Sequence, residues 1–182
     1  MTDLTIHRGS HQIGGSCTEI TSGGERILID LGANLPDSDA SISDNALISK
    51  VFDGCPTAGL LFTHPHGDHY GLYKKVPQDI PMYIGPMAKD ILKVLTARLD
   101  CISEEKGLPA VERMKTYEAG KELGAFQNTQ VLPLYVDHSA PDAYMFYIQT
   151  AGRKILYSGD FRAHGIVGER DRLWRMLEKF VP

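Results

Sequence analysis

Between residues 63 and 69 the chain reads Thr63-His64-Pro65-His66-Gly67-Asp68-His69, three imidazoles and a carboxylate within six positions. The run Gly59–Thr63 (GLLFT) leads directly into it. A short, continuous apolar run of this kind suits a strand covered on both faces, as in the parallel part of a layered sheet. Whatever fold the chain adopts must therefore end a buried strand at a polar loop. Neutral nitrogen and oxygen donors converging from a turned backbone are what a divalent metal requires, and Gly67 eases the turn. With 7 histidines in 182 residues, the spacing His-x-His-x-Asp-His should arise by chance in about one such chain in a thousand. The plain alternative is a polar loop that happens to hold histidines.

The flanking sequence supports a layered domain. Short strands are expected at Leu4–His7, Ser16–Thr21 and Arg26–Asp30, separated by the glycine pairs 14–15 and 23–24, as in a β-meander. Residues 32–44 are rich in Asn, Asp, Ser and Pro and read as loop. After a strand at Pro81–Ile84, Pro86 opens a helix carrying Ile91, Leu92, Val94, Leu95 and Leu99. Residues 101–128, broken by Gly107, Pro109, Gly120 and Gly124, read as a connecting excursion. Strands are then expected at Val131–Val136, Ala143–Thr150 and Lys154–Ser158, the last two joined at Ala151-Gly152-Arg153, with a closing helix near Asp171–Phe180. This mixture indicates a single α/β or α+β domain.

Charge and cysteine usage narrow the function classes. A net charge of −4 provides no bulk positive field for nucleic acid, although the last thirty residues carry +3. No apolar run approaches the ~20 residues of a membrane helix, and the start MTDLTIHRGS has no signal-peptide core. A cytoplasmic protein that does not engage membranes is expected. Cys17, Cys55 and Cys101 form no Cys-x-x-Cys pair and are expected as small buried hydrophobes. Trp174, with Leu173 and Leu177 at helical spacing, is expected to pack in a core or interface.

One strand-loop cannot fill two coordination spheres. His138 follows Val131–Val136 in Val136-Asp137-His138-Ser139, and Asp160 follows Lys154–Ser158 in Ser158-Gly159-Asp160-Phe161. Each alone is an ordinary strand-end residue. Together with Asp30 in ILIDLG, they form an ordered series, Asp30, His64/His66/Asp68/His69, His138, Asp160, that resembles the metallo-β-lactamase fold of hydrolases over nearly the whole chain. Within it, His138-Ser139-Ala140-Pro141-Asp142 is similar to the HS-x-PD signature of the β-CASP branch, especially ribonuclease J-like nucleases. Gly14-Gly15-Ser16-Cys17 and Asp160-Phe161-Arg162 fit that branch as well.

The resemblance implies an αββα sandwich with two divalent metals at its edge, zinc first and manganese as the alternative. His64, His66 and His138 would hold one ion, Asp68 and His69 the other, and Asp160 would bridge them. Asp68 would also orient the attacking water, and Asp30 would sit buried behind the site, steering the ligand loop by hydrogen bonds. Ser139 is a candidate phosphate donor or a turn residue, Asp142 a proton acceptor or a brace for His138, and His164 a candidate at the cleft mouth. The implied reaction is RNA phosphodiester hydrolysis by a hydroxide generated at the metals. Alternatives are another hydrolase of this fold acting on a thioester, lactone or small phosphodiester, or a partial module that only binds metal. The second half of the fold and the β-CASP insertion have no counterpart here, so residues 1–182 are expected to be the N-terminal part of a larger enzyme with a second metal site one ligand short. Apolar surface left for the missing half makes a homodimer an expected partner arrangement.

Overall fold

The computed structural model describes residues 1–36, 38, 40, 42–54, 56–165 and 170–180. Cys55 lies outside them. Strands β1 (Thr2–Arg8), β2 (Cys17–Ser22) and β3 (Glu25–Ile29) form the expected antiparallel meander. Helix α1 (Asp44–Phe52) follows, and then β4 (Gly59–Leu61) pairs parallel to β3, as its unbroken apolar run requires. The four-residue α2 (Gly67–Tyr70) is followed by β5 (Met82–Ile84), α3 (Pro86–Leu99), α4 (Leu108–Glu112) and β6 (Lys115–Thr116). These strands make one sheet in the order β1-β2-β3-β4-β5-β6, parallel from β3 onward. Strands β7 (Gln130–Val136), β8 (Ala143–Thr150) and β9 (Arg153–Tyr157) make a second, antiparallel sheet, with α5 (Arg170–Glu178) after it.

Period-two alternation assigns the core to three layers of contact. Leu28, Leu60, Met82 and Ile84 face Leu47 and Val51 of α1, Ala88 and Leu92 of α3, and Val111 of α4. Their neighbours Ile27, Ile29, Leu61 and Tyr83 point the other way, against Tyr144, Phe146 and Ile148 of β8. The opposite face of β8, Ala143, Met145 and Tyr147, packs with Leu173 of α5. Helix, sheet, sheet and helix therefore stack as an αββα sandwich. Pro133 interrupts no ladder because β7 is an edge strand. Among the described residues, no helix is long and apolar enough to cross a membrane.

Local structure departs from the sequence reading at four places. Helix α1, which starts at the last residue of the expected loop, was not anticipated; Ser43 Oγ accepts from Ala46 N, and Leu47 and Val51 turn into the core. The excursion 101–128 contains α4 and β6, and β6 extends the first sheet by pairing with β5. Cys101 is exposed at the end of α3, whereas Cys17 is buried and its thiol is pushed up to about 12, mainly by burial. Trp174 is exposed, and Leu173 makes the core contact of its helix.

One ion-pair cluster gives the fold a pH dependence. Glu19 accepts from His7 Nε2 at 2.8 Å and pairs with Arg26 at 2.6 Å. Burial alone would raise its pKa, but the bonds from Arg26 and His7 outweigh it, and the carboxyl falls from 4.5 to about 2. A depressed folded-state pKa means that the contribution is complete above the unfolded value and is lost as pH falls from 4.5 towards 2. Urea denaturation across that range should show the wild type losing more stability than Glu19→Gln. Parallel curves would remove Glu19 as the cause.

Candidate metal centre

Strand β4 ends where Thr63 begins the histidine loop, and the backbone of residues 30–33 grips that loop from below. Leu31 N donates to His69 O at 2.7 Å, Ala33 N to Gly67 O at 2.9 Å, and Ser16 N to Asp68 O at 2.9 Å. Gly32 runs so close to Asp68 that no side chain fits between them. Arg8, buried at the end of β1, donates to Gly15 O at 2.7 Å, to Gly32 O and to Asp44 at 2.8 Å, tying the two neighbouring loops to α1. The loop is thus fixed by backbone bonds before its side chains do any chemistry.

Asp30 organises the rings from behind. Completely buried and held at φ 57°, it accepts from Thr63 N at 2.8 Å, Thr63 Oγ1 at 3.0 Å, His69 Nδ1 at 2.8 Å and Tyr157 Oη at 3.2 Å. Because Thr63 Oγ1–H points to Asp30, the same oxygen accepts from His64 Nδ1 at 3.0 Å. Both rings then carry their proton on Nδ1 and present the Nε2 lone pair to the cleft. This chain of bonds fixes two tautomers with one carboxylate.

Four imidazoles converge in front of it. His66 Nδ1 lies 3.1 Å from His64 Nε2 and 3.2 Å from His138 Nε2. His69 Nε2 lies 3.6 Å from Asp160 Oδ1 and 3.8 Å from Asp68 Oδ2, and His138 Nε2 is 3.7 Å from Asp160 Oδ2. Two groups of donors fall within 4.8 Å of one another: His64, His66 and His138, and His64, His69 and Asp160. Burial, reinforced by His69, His138 and His66, pulls His64 down to about 2, and burial also lowers His138. These rings are neutral donors at pH 7. Burial works the same way on His69, but the bond and charge of Asp30, with Asp160 and Asp68, outweigh it and raise the ring. A carboxylate set that favours a proton there also favours a cation. Two neutral rings meeting a third beside an acidic cluster is a donor set that fits a divalent metal.

The remaining expected site residues lie further out. Asp142, at φ 62°, accepts from Ala88 N at 2.9 Å and Tyr144 Oη at 2.7 Å, so it pins the His138 loop to the start of α3. Ser139 and His164 are both exposed, and they and Asp68 lie outside the two donor groups, with His64 rather than Asp68 completing the set of His69 and Asp160. Thr63, Tyr157, Gly32 and Arg8 were not anticipated. The bonding of Thr63 and Tyr157 has no spacing signature, since β9 reaches the site only through the packing of the two sheets. Beside the cluster, a groove of about 300 Å³ is lined by Arg8, Ser10, Ser16, His69, Ser158 and Asp160.

An αββα sandwich whose strand ends gather histidines and carboxylates around a buried aspartate is a metal-binding fold of a defined class. Residues 12–180 match the Metallo-beta-lactamase superfamily, and the chain belongs to that superfamily. Ribonuclease J 1 of Streptococcus pyogenes serotype M3 is 30% identical over 161 residues, 85% of this chain and 27% of that protein. Transcription termination factor FttA of Methanosarcina mazei is 27% identical over 184 residues, covering 87% of this chain and 27% of its own length. A protein of unknown function from Enterococcus faecalis V583 superposes with TM-score 0.77 at 23% identity, over 98% of this chain and 47% of that one. The chain spans about a quarter of the length of these two curated relatives.

Proposed function

We propose that the chain is the N-terminal, metal-binding part of a ribonuclease J-like phosphodiesterase that hydrolyses RNA. The observation that carries the reading is the Asp30 relay, which holds His64, the ring shared by the His66/His138 and His69/Asp160 donor groups, and His69 with their Nδ1 atoms engaged from behind. Likeness to a protein named as a ribonuclease supports RNA as the substrate. His64, His66 and His138 would hold one divalent ion, zinc first and manganese as the alternative; Asp68 and His69 would hold a second with Asp160 between them. Bound there, the ions supply Lewis acidity and bring the pKa of water towards neutrality. Asp68, whose Oδ2 lies 3.8 Å from His69 Nε2, would take a hydrogen bond from the attacking water. His69, kept in register by Asp30, cannot swing out of the site. The hydroxyls of Ser10, Ser16 and Ser158 offer donors to a phosphate lying in the groove, and Ser139, exposed beside His138, would offer another.

The two ion sites should separate on mutation. The Asp160 side chain is about half exposed, so Asp160→Ala should leave folding intact and cost the second ion about tenfold more affinity than the first. Zinc titration showing both sites weakened equally would refute the bridging role.

The substrate class is tested with activated esters at high enzyme concentration, in zinc or manganese, with Asp68→Ala as control. An aryl phosphodiester should be hydrolysed faster than a thioester or a lactone, and Asp68→Ala should abolish the difference. Faster thioester or lactone cleavage would overturn the phosphodiesterase reading.

A further inference from the structure

Helix α3 has two apolar faces, and only one is used. Ala88, Leu92 and Thr96 turn into the core. On the other side Met87 is 57% exposed, Ile91 41%, Val94 75% and Leu95 46%, and they line one shallow groove with Asp90 and Arg98. Single exposed apolar residues need no explanation, but a contiguous patch on one helix marks an interaction surface. Among the described residues, neither Asp90 nor Arg98 makes a hydrogen bond or ion pair with another side chain.

We propose that this face binds the same face of a second copy of the chain, with the two α3 helices antiparallel about a twofold axis between Val94 and Leu95. The charge pattern selects the occupant. At a rise of about 1.5 Å per residue, that axis sets Val94 against the partner's Leu95, Met87 against the partner's Ile102 just beyond the helix, and Ile91 against the partner's Arg98. The Arg98 stem then lies on apolar surface while its guanidinium reaches the partner's Asp90, one residue along. Twofold symmetry repeats the pair, so two ion pairs flank one apolar seam. A parallel pairing would set like residues side by side and leave Asp90 facing Asp90. An anionic lipid surface would repel Asp90, which lines the groove at the edge of the apolar stripe. A single pair of 14-residue helices buries less than a standard interface of about 1,200–2,000 Å², so the dimer should be weak and reversible, with a Kd of order 10 μM.

Sedimentation equilibrium of the 182-residue chain from about 1 to 200 μM tests it. A reversible monomer–dimer equilibrium is expected. Asp90→Arg and Arg98→Asp alone should each weaken it at least ~10-fold, and the double exchange should return it to within ~3-fold of wild type. Val94→Asp should abolish the dimer without changing the melting temperature, because that position is exposed. A chain that stays monomeric at the highest concentration, or a double exchange that restores nothing, would overturn the proposal. So would a wild-type monomer that instead sediments with phosphatidylglycerol vesicles, which would assign the face to lipid.

Discussion

Gly32→Ala should unfold the metal loop and lower the stability of the whole chain by about 3 kcal/mol, at the upper end of what overpacking costs. A Cβ on Gly32 would lie 1.6 Å from the Asp68 carbonyl oxygen and 2.9 Å from His69 N. Neither atom can retreat, because Asp68 O is held by Ser16 N and the next carbonyl, His69 O, by Leu31 N. The clash is with backbone, so no rotamer relieves it. For a domain of this size the loss corresponds to a fall of roughly 6–12 °C in Tm. Zinc uptake should fail at temperatures where the remaining fold is intact by circular dichroism. A variant that melts and loads zinc like wild type would show that the loop is not clamped as described.

Removal of the Asp30 carboxylate should have the other large effect. Its two oxygens receive four donors in a site closed to water. Asp30→Ala leaves Thr63 N and His69 Nδ1 unpaired and frees Thr63 Oγ1 from its role as acceptor for His64. Breaking a buried charged network of this kind costs about 3–5 kcal/mol. Asp30→Asn separates charge from shape, since Asn also tolerates a φ of 57°. It should fold, yet it presents an amide donor to one of the present donors and loosens the tautomers. Zinc affinity should fall about 10–100-fold, and histidine ring NMR signals should report mixed Nδ1 and Nε2 protonation. Wild-type zinc affinity in Asp30→Asn would mean that the rings are aimed by packing alone.

The parts of the fold that could be read from the residues are those fixed by local pattern. The unbroken GLLFT run required a covered strand, glycine pairs marked the meander, and Pro86 marked the first turn of α3. The histidine loop was legible because metal donors must cluster in space and here cluster in sequence too. Helix α1 was masked by the Asn- and Ser-rich stretch before it, although Ser43 and the Leu47–Val51 spacing carried its signal. Thr63, Tyr157 and Arg8 were not legible for a different reason. Their roles are set by which backbone groups the two sheets bring within 3 Å or so, a tertiary fact with no period or motif. Asp142 illustrates the intermediate case: its position in the HSAPD run pointed to the site, but only the structure shows its carboxylate spent on Ala88 N and Tyr144 Oη.

His64, His66 and His138, backed by the Asp30 relay, offer three converging donors to one divalent metal. Elemental analysis of the purified chain after equilibrium dialysis against zinc, beside His64→Ala/His138→Ala, measures it directly. The wild type should retain about one equivalent or more, because three neutral imidazoles hold zinc tightly, and the double variant should retain almost none. Less than about a tenth of an equivalent in correctly folded wild-type protein, or equal retention by both proteins, would rule out these three histidines as the metal site.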